Sequence, residues 1–323
     1  MRVLRLGTRG SELALFQAHA VAAALAEGGD VRCEIVVIKT SGDRQAEAAL
    51  SQIGGKRLFV KEIEDALLAR DVDLAVHSSK DMPVVLPEGL AIAAVLPRED
   101  PRDAVVLPAS MPPPEGVDGL VRMLGREPRI GTSSVRRIAQ LTRLFPRGRF
   151  MPVRGNLGTR LRKLDAGDYD VLVLAAAGLL RLEQRARISA TLPPDACVPA
   201  PGQGIIAVEI RAADKDIRAL LSRIDDPPSA TALRAERAVV TRLGGGCQMP
   251  IGAYAEVTGA AVAITGVVVS PDGARAARAT ASGDADQADA VGVQLAERLL
   301  AAGAGDILAD VQRTQAAVEG IQP

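Results

Sequence analysis

Short apolar runs alternate with amphipathic stretches through the first two-thirds of the chain. VLRLG near the N-terminus reads as a strand, followed by a helix from about Ser11 to Glu27 and a strand over CEIVVIKT. Residues 41–57 are polar and glycine-containing and read as a mobile loop. A helix over 59–69, then strands over DLAVHSS and LAIAAVLP, complete a first series. After Pro101 a second series begins: AVVLP, a helix around 117–124, the strand RIGTS, a helix over 135–145, the strand FMPVR, a helix over 156–166 and a strand over VLVLAAAGL. Such alternation predicts parallel or mixed sheets covered by helices, an α/β class. Pro- and Gly-rich segments at 108–116 and 193–204 read as loops or hinges.

The last third changes character. Residues 203–222 add the strand IIAVEI and a short helix, and Asp225-Asp226-Pro227-Pro228 reads as a linker. A helix over 229–242 leads into Gly244-Gly245-Gly246-Cys247, two β-rich runs (AYAEVTG and VAITGVVVSPDG) and a final helix over roughly 287–302. This region reads as a smaller α+β domain. No repeat at solenoid period is present. At 323 residues the chain exceeds one ordinary core, so two or three domains are expected.

Composition narrows the classes. No apolar run is long enough to cross a bilayer, and MRVLRLGTRG lacks the apolar core of a signal peptide. Cys33, Cys197 and Cys247 are far apart and without metal-ligand spacing, which fits a reducing cytoplasm. With only His19 and His77 as imidazoles, a multi-histidine metal centre is not expected. The chain has no Trp and only six Phe and Tyr, so the aromatic platforms of a single-strand nucleic-acid binder are missing. A nucleic-acid partner therefore ranks below a small polyanion.

Charge supplies the chemistry. The formal net charge is zero, yet residues 122–187 hold fourteen arginines and Lys163 against five acids, a surplus of ten that the rest of the chain offsets. The arginines recur at strand–helix joints, where open α/β sheets place ligands. Arg136-Arg137 follow Gly131-Thr132-Ser133-Ser134, and Arg154 and Arg160 bracket Gly155-Asn156-Leu157-Gly158-Thr159. Arg181 follows VLVLAAAGL. Planar guanidiniums grip carboxylates or phosphates in pairs. A serine at 133 or 134 is ordinarily a plain helix N-cap, but cations in the first turn oppose the helix dipole and favour an anion site. In His77-Ser78-Ser79-Lys80-Asp81 the Lys–Asp pair is either an exposed pair worth little or the one carboxylate in a cationic site, able to stabilise a cation or move a proton. His77 reads as a packed strand residue. Cys247, in a triple-glycine turn, is either an unremarked loop thiol or an open nucleophile and covalent anchor.

In order along the chain stand TRGS (8–11), GGKRLFVKE (54–62), AVHSSKD (75–81), REDPRDA (98–104), GTSSVRR (131–137), RGNLGTR (154–160), PGQG (201–204) and GGGCQMPIGAY (244–254). Together they resemble the porphobilinogen deaminase (hydroxymethylbilane synthase) family over almost the whole chain. The resemblance implies a transferase of tetrapyrrole and haem biosynthesis that condenses four porphobilinogens head to tail with release of four ammonia. It implies three domains: 1–98 with 203–222, then 102–198, then 227–323. The first two would form a bilobal, type II periplasmic-binding-protein-like pair with crossovers near 98–102 and 199–204.

By the same resemblance Cys247 carries a dipyrromethane cofactor through a thioether, and Asp81 is catalytic. Arg9, Ser11, Lys56, Ser78, Lys80, Thr132, Ser134, Arg136, Arg137, Arg154, Arg160, Arg181 and Gln203 would bind cofactor and substrate carboxylates, with Lys56 in a lid. No metal is implied, and a cytoplasmic monomer is expected. Three positions depart from the family's usual residues: Arg57 for Gly, Ser79 for Met and Leu180 for Lys. The competing reading is a non-catalytic bilobal receptor for a small polyanion, which would need neither Asp81 nor Cys247.

Overall fold

A computed structural model describes residues 2–41, 60–246 and 248–319, with 315–319 as backbone only. Most of the expected 41–57 loop, Lys56, Arg57 and Cys247 lie outside the described residues. Two five-stranded sheets and one three-stranded sheet organise the chain. The first contains β1 (Arg2–Thr8), β2 (Val31–Val37), β3 (Leu74–Ser78), β4 (Leu90–Val95) and β10 (Ile206–Arg211). The second contains β5 (Asp103–Val106), β6 (Arg129–Gly131), β7 (Arg149–Met151), β8 (Val171–Ala175) and β9 (Ala190–Leu192).

The two sheets share one plan. Their orders are β2-β1-β3-β10-β4 and β7-β6-β8-β5-β9. In each, four strands point the same way, and the fourth position is the one antiparallel strand, donated across the hinge. The chain leaves β4, crosses at 96–102 and enters the second sheet as β5; it returns after β9 to enter the first as β10. The crossing segments touch: Glu99 N–H donates to the Gly204 carbonyl at 3.0 Å. Gly204 has φ +90°, and a Cβ there would lie 2.3 Å from the Glu99 oxygen, so glycine is required on two counts.

Each sheet is buried on both faces, which explains its apolar sequence. Leu4, Leu6, Val76 and Val208 pack on the helix Glu12–Ala26, while Ile63 and Leu67 of the helix Lys61–Leu68 cover Val72 and Ala75. In the second lobe Leu172 and Leu174 face Leu161 and Leu164, and Val171 and Val173 face Leu141 and Phe145. The third unit stacks the helix Pro227–Leu243 and the helix Ala288–Ala301 on an antiparallel sheet of β11 (Ile251–Thr258), β12 (Ala261–Val269) and β13 (Ala276–Asp284). Ala139, Val198, Val267 and Val269 join this unit to the second lobe.

The sequence expectation differs from the structure in several places: the short strand β9 was not expected, and the helix Pro227–Leu243 begins inside the expected 225–228 linker. VLVLAAAGL is not one strand: it turns helical at Ala176, and Arg181 ends the helix Ala176–Arg181. The β-branched and leucine residues fill the sheet, whereas alanine and leucine favour a helix once the sheet ends; apolar runs alone do not separate the two. β13 was not expected, because its buried positions are Ala277 and Ala281, too weakly apolar to mark the alternation. A further helix, Ala304–Glu319, follows the one expected over 287–302.

Candidate active site

The site forms where the first two sheets end, at the mouth between lobes. β3 delivers Ser78, and a single 3-10 turn over Ser79–Asp81 carries Lys80 and Asp81 away from the sheet edge. The turn is anchored by Ser79 N–H donating to the Ile205 carbonyl at 2.9 Å. From the next strand Ser11 caps the helix Glu12–Ala26, accepting from Ala14 N–H. Gln17 of that helix donates to the Ser78 hydroxyl at 2.8 Å. Arg9, Ser11, Gln17, Val60, His77, Ser78 and Asp81 line a recess of about 70 Å³. Asp81 is exposed and Lys80 is half-buried.

The second lobe brings its cations to the same mouth. Ser134 caps the helix Val135–Thr142 by accepting from Arg137 N–H, so the plain capping role read from sequence is present. Asn156 likewise caps the helix Leu157–Asp165, on which Arg160 donates from Nε to the Gly155 carbonyl at 2.9 Å. Burial and Arg137 lower the pKa of Arg160, and Asp81 opposes them; the three charges therefore share one electrostatic neighbourhood across the lobes. Lys80 is pushed down to about 8 by burial, against the pull of Asp81, with Arg137 and Arg136 repelling and Asp103 supporting its charge. A carboxylate entering here would restore what desolvation removes.

Several expected ligands already have protein partners. Arg136, 4% exposed, places Nη1 2.7 Å from Asp103 Oδ2 and donates from Nη1 to the Val198 carbonyl at 2.7 Å. Arg137 donates from Nε to Asp103 Oδ1 at 2.9 Å and from Nη1 to the Val173 carbonyl. Gln203, 1% exposed, donates to Asp103 Oδ1 at 2.9 Å and to the Pro101 carbonyl at 2.6 Å. The Thr132 hydroxyl accepts from Ser134 N–H. Arg181 reaches from its helix to the Gly204 carbonyl at 2.7 Å, and burial lowers it to about 10 despite Glu99 nearby. Arg154 is half-buried beside Gly155. His77 is buried and paired with Glu209 at 3.0 Å.

Three residues central to this arrangement escaped the sequence reading. Asp103 is fully buried and collects Arg136, Arg137, Gln203 and the Cys197 thiol. Burial by itself would raise its pKa, but the two guanidiniums and their hydrogen bonds hold it well below the usual carboxylate range. Arg98 and Glu236 pair at 2.6 Å, and Glu236 also accepts from Gly202 N–H at 2.6 Å and Ala255 N–H at 2.8 Å. The clue available was an acid opening an otherwise apolar strand (DAVV) and an acid on the apolar face of a helix. Each invites a buried partner.

The fold and site thus define a bilobal α/β protein with a cation-lined cleft, joined to a third α+β unit. Among the described residues no helix is long and apolar enough to cross a membrane. Residues 4–219 match the family model "Porphobilinogen deaminase, dipyromethane cofactor binding domain", and residues 230–301 match "Porphobilinogen deaminase, C-terminal domain". The chain is 46% identical over 313 residues to porphobilinogen deaminase of Syntrophobacter fumaroxidans, covering 97% of this chain and 99% of the relative. The enzyme of the same name from Gloeobacter violaceus is 47% identical, over 95% of this chain and 93% of its own. Among solved structures, the periplasmic VFT2 domain of Bordetella pertussis BvgS overlays 69% of this chain and 86% of its own at TM-score 0.41 and 16% identity. The chain belongs to the porphobilinogen deaminase family.

Proposed function

We propose that the chain condenses four porphobilinogen molecules head to tail on a dipyrromethane primer held through a thioether by Cys247, releases four ammonia, and frees linear hydroxymethylbilane on hydrolysis. The observation that carries this reading is one exposed carboxylate, Asp81, sharing a cleft mouth with Lys80, Arg137 and Arg160. Every pyrrole unit brings two carboxylates, so a cationic donor set suits it. Loss of ammonia breaks the aminomethyl C–N bond and leaves a cation, so a single anion beside those donors suits the reaction. The bound dipyrromethane supplies the tethered pyrrole end that each condensation extends.

The residues divide the work. Lys80, Arg137 and Arg160 take carboxylates at the mouth, with Arg9, Ser11, Lys56, Ser78, Thr132, Ser134, Arg136, Arg154, Arg181 and Gln203 completing the set. Asp81 balances the cation left by ammonia, then accepts the proton lost when the new carbon–carbon bond forms. Two other thiols compete poorly for the primer. Burial, reinforced by Asp103, pushes Cys197 up to about 12, and burial raises Cys33 as well; neither offers much thiolate at neutral pH. Substrate apart, the reading takes the chain as a cytoplasmic monomer.

Intact mass of the purified protein tests it. A dipyrrole adduct is expected on the wild type, mapped by peptide digestion to Cys247 and absent from Cys247→Ser. An adduct on Cys33 or Cys197, or an unmodified chain that consumes no porphobilinogen, sinks the assignment and restores the polyanion receptor.

A further inference from the structure

Asp103 opens β5, the first strand of the second sheet after the hinge, and none of its surface reaches solvent. Its two oxygens receive Arg136 Nη1 and Nη2, Arg137 Nε, Gln203 Nε2 and the Cys197 thiol. These donors come from two separate places, the helix Val135–Thr142 and the 193–204 segment, which supplies both Cys197 and Gln203. A side chain needed only for packing would be apolar here, since replacing buried ion pairs by apolar groups is often neutral for stability. We propose that Asp103 is a positioning residue of the carboxylate site, fixing the planes of Arg136 and Arg137 and setting the charge that the cleft presents to each pyrrole.

The surrounding charges support it. Asp103 acts on Lys80 together with Asp81, Arg136 and Arg137, and Arg160 in turn feels Arg137 and Asp81. The carboxylates that this cationic set would receive are those of porphobilinogen, so the inference rests on that reading. Without Asp103 one more positive charge in the set would stand uncompensated. Adjacent guanidiniums would repel each other without a common anchor, and the fixed forks that make arginine selective would be free to turn. Lys80 would feel the change as well. Asp81 and Asp103 support its ammonium, while burial, Arg136 and Arg137 oppose it.

The test uses holoenzyme of Asp103→Asn and Asp103→Glu, with cofactor loading checked by intact mass. Asp103→Asn keeps the shape but supplies no charge. It is expected to raise KM for porphobilinogen by about tenfold or more, as misplaced binding groups do, with a smaller effect on kcat. The alkaline limb of kcat/KM expected from the Lys80 ammonium should move to lower pH, because Asp103 supports that charge. Asp103→Glu should raise KM as well but leave that limb in place. Adding Arg137→Gln to Asp103→Asn should cost less than Arg137→Gln costs alone, because both act through one arrangement. A purely structural aspartate would lower the amount of active protein without moving the limb or coupling to Arg137. Loaded variants with wild-type KM and an unmoved limb overturn the proposal. If Asp103→Asn yields no holoenzyme, wild-type KM in Asp103→Glu overturns it alone. A wild type that consumes no porphobilinogen overturns the functional reading instead, a separately visible outcome.

Discussion

In the proposed reaction Asp81 carries the chemistry, and its setting makes a sharp substitution possible. It is exposed at the end of a 3-10 turn anchored by backbone, so changing its side chain leaves β3 and the Ile205 contact untouched. Asp81→Asn keeps size and hydrogen bonding but neither balances a cation nor accepts a proton. Ammonia release in a single turnover should fall by about a hundredfold or more, within the range of a lost general base, with an unchanged unfolding midpoint. Asp81→Glu should retain part of the rate. Wild-type ammonia release from Asp81→Asn would make the carboxylate dispensable. Two positions behind, Ser79 is 3% exposed and its hydroxyl has no partner among the described residues. Ser79→Ala removes an unsatisfied buried polar group, so its denaturant midpoint should equal or exceed wild type; a clear loss would mean the hydroxyl is satisfied by water. Asp81 was legible in the sequence because an acid beside Lys80 at a strand end stood out among cations. Asp103 was legible only as an acid opening the apolar run DAVV; nothing local names the two arginines that bury it.

At the scale of elements, the helix Pro227–Leu243 shows what sequence signals reach and where they stop. Asp226 caps it by accepting from Ser229 N–H, Pro occupies its first positions, and Gly244 closes it at φ +68°. From sequence DDPP was taken as a linker and the helix as beginning at 229, although Asp-Pro-Pro and the glycines of LGGG carry these start and stop signals. The partners of its buried face were not readable, because they come from distant chain. Glu236 meets Arg98 from one hinge strand, Gly202 from the other and Ala255 from β11, tying the third unit to both crossings. Arg98 also stands over the Tyr254 ring at 5.0 Å and donates to the Gln203 carbonyl. Glu236→Ala leaves a buried guanidinium and two amides unpaired, which should cost about 3–5 kcal/mol of stability. Urea unfolding monitored by circular dichroism measures it. A change below about 1 kcal/mol, the usual worth of an exposed pair, would show that the hinge does not depend on this contact.

Over the whole molecule, zero net charge conceals an uneven distribution that pH exposes. The arginine-rich second lobe is held together by acids that must stay ionised, and Asp103 is the one wholly removed from water. Its pKa is depressed in the folded state because Arg136 and Arg137 outweigh burial. A depressed carboxyl contributes stability that is fully present above its unfolded pKa, about 4, and lost as pH falls toward the folded value. Across that window the unfolded chain binds a proton that the folded chain refuses, so stability should decline by about 1.4 kcal/mol per pH unit from this group alone. Asp170 and Asp100 are shifted the same way by Arg129 and Arg102, but both sit near solvent and add little. The comparison that isolates Asp103 is wild type against Asp103→Asn, unfolded in urea from pH 7 to pH 2.5. Their difference should be constant above about pH 5 and shrink steadily below about pH 4, where the wild-type carboxylate loses its advantage over the unfolded chain. A difference that stays constant to the acid end would mean that Asp103 titrates alike in both states, and that the two arginines do not hold it ionised.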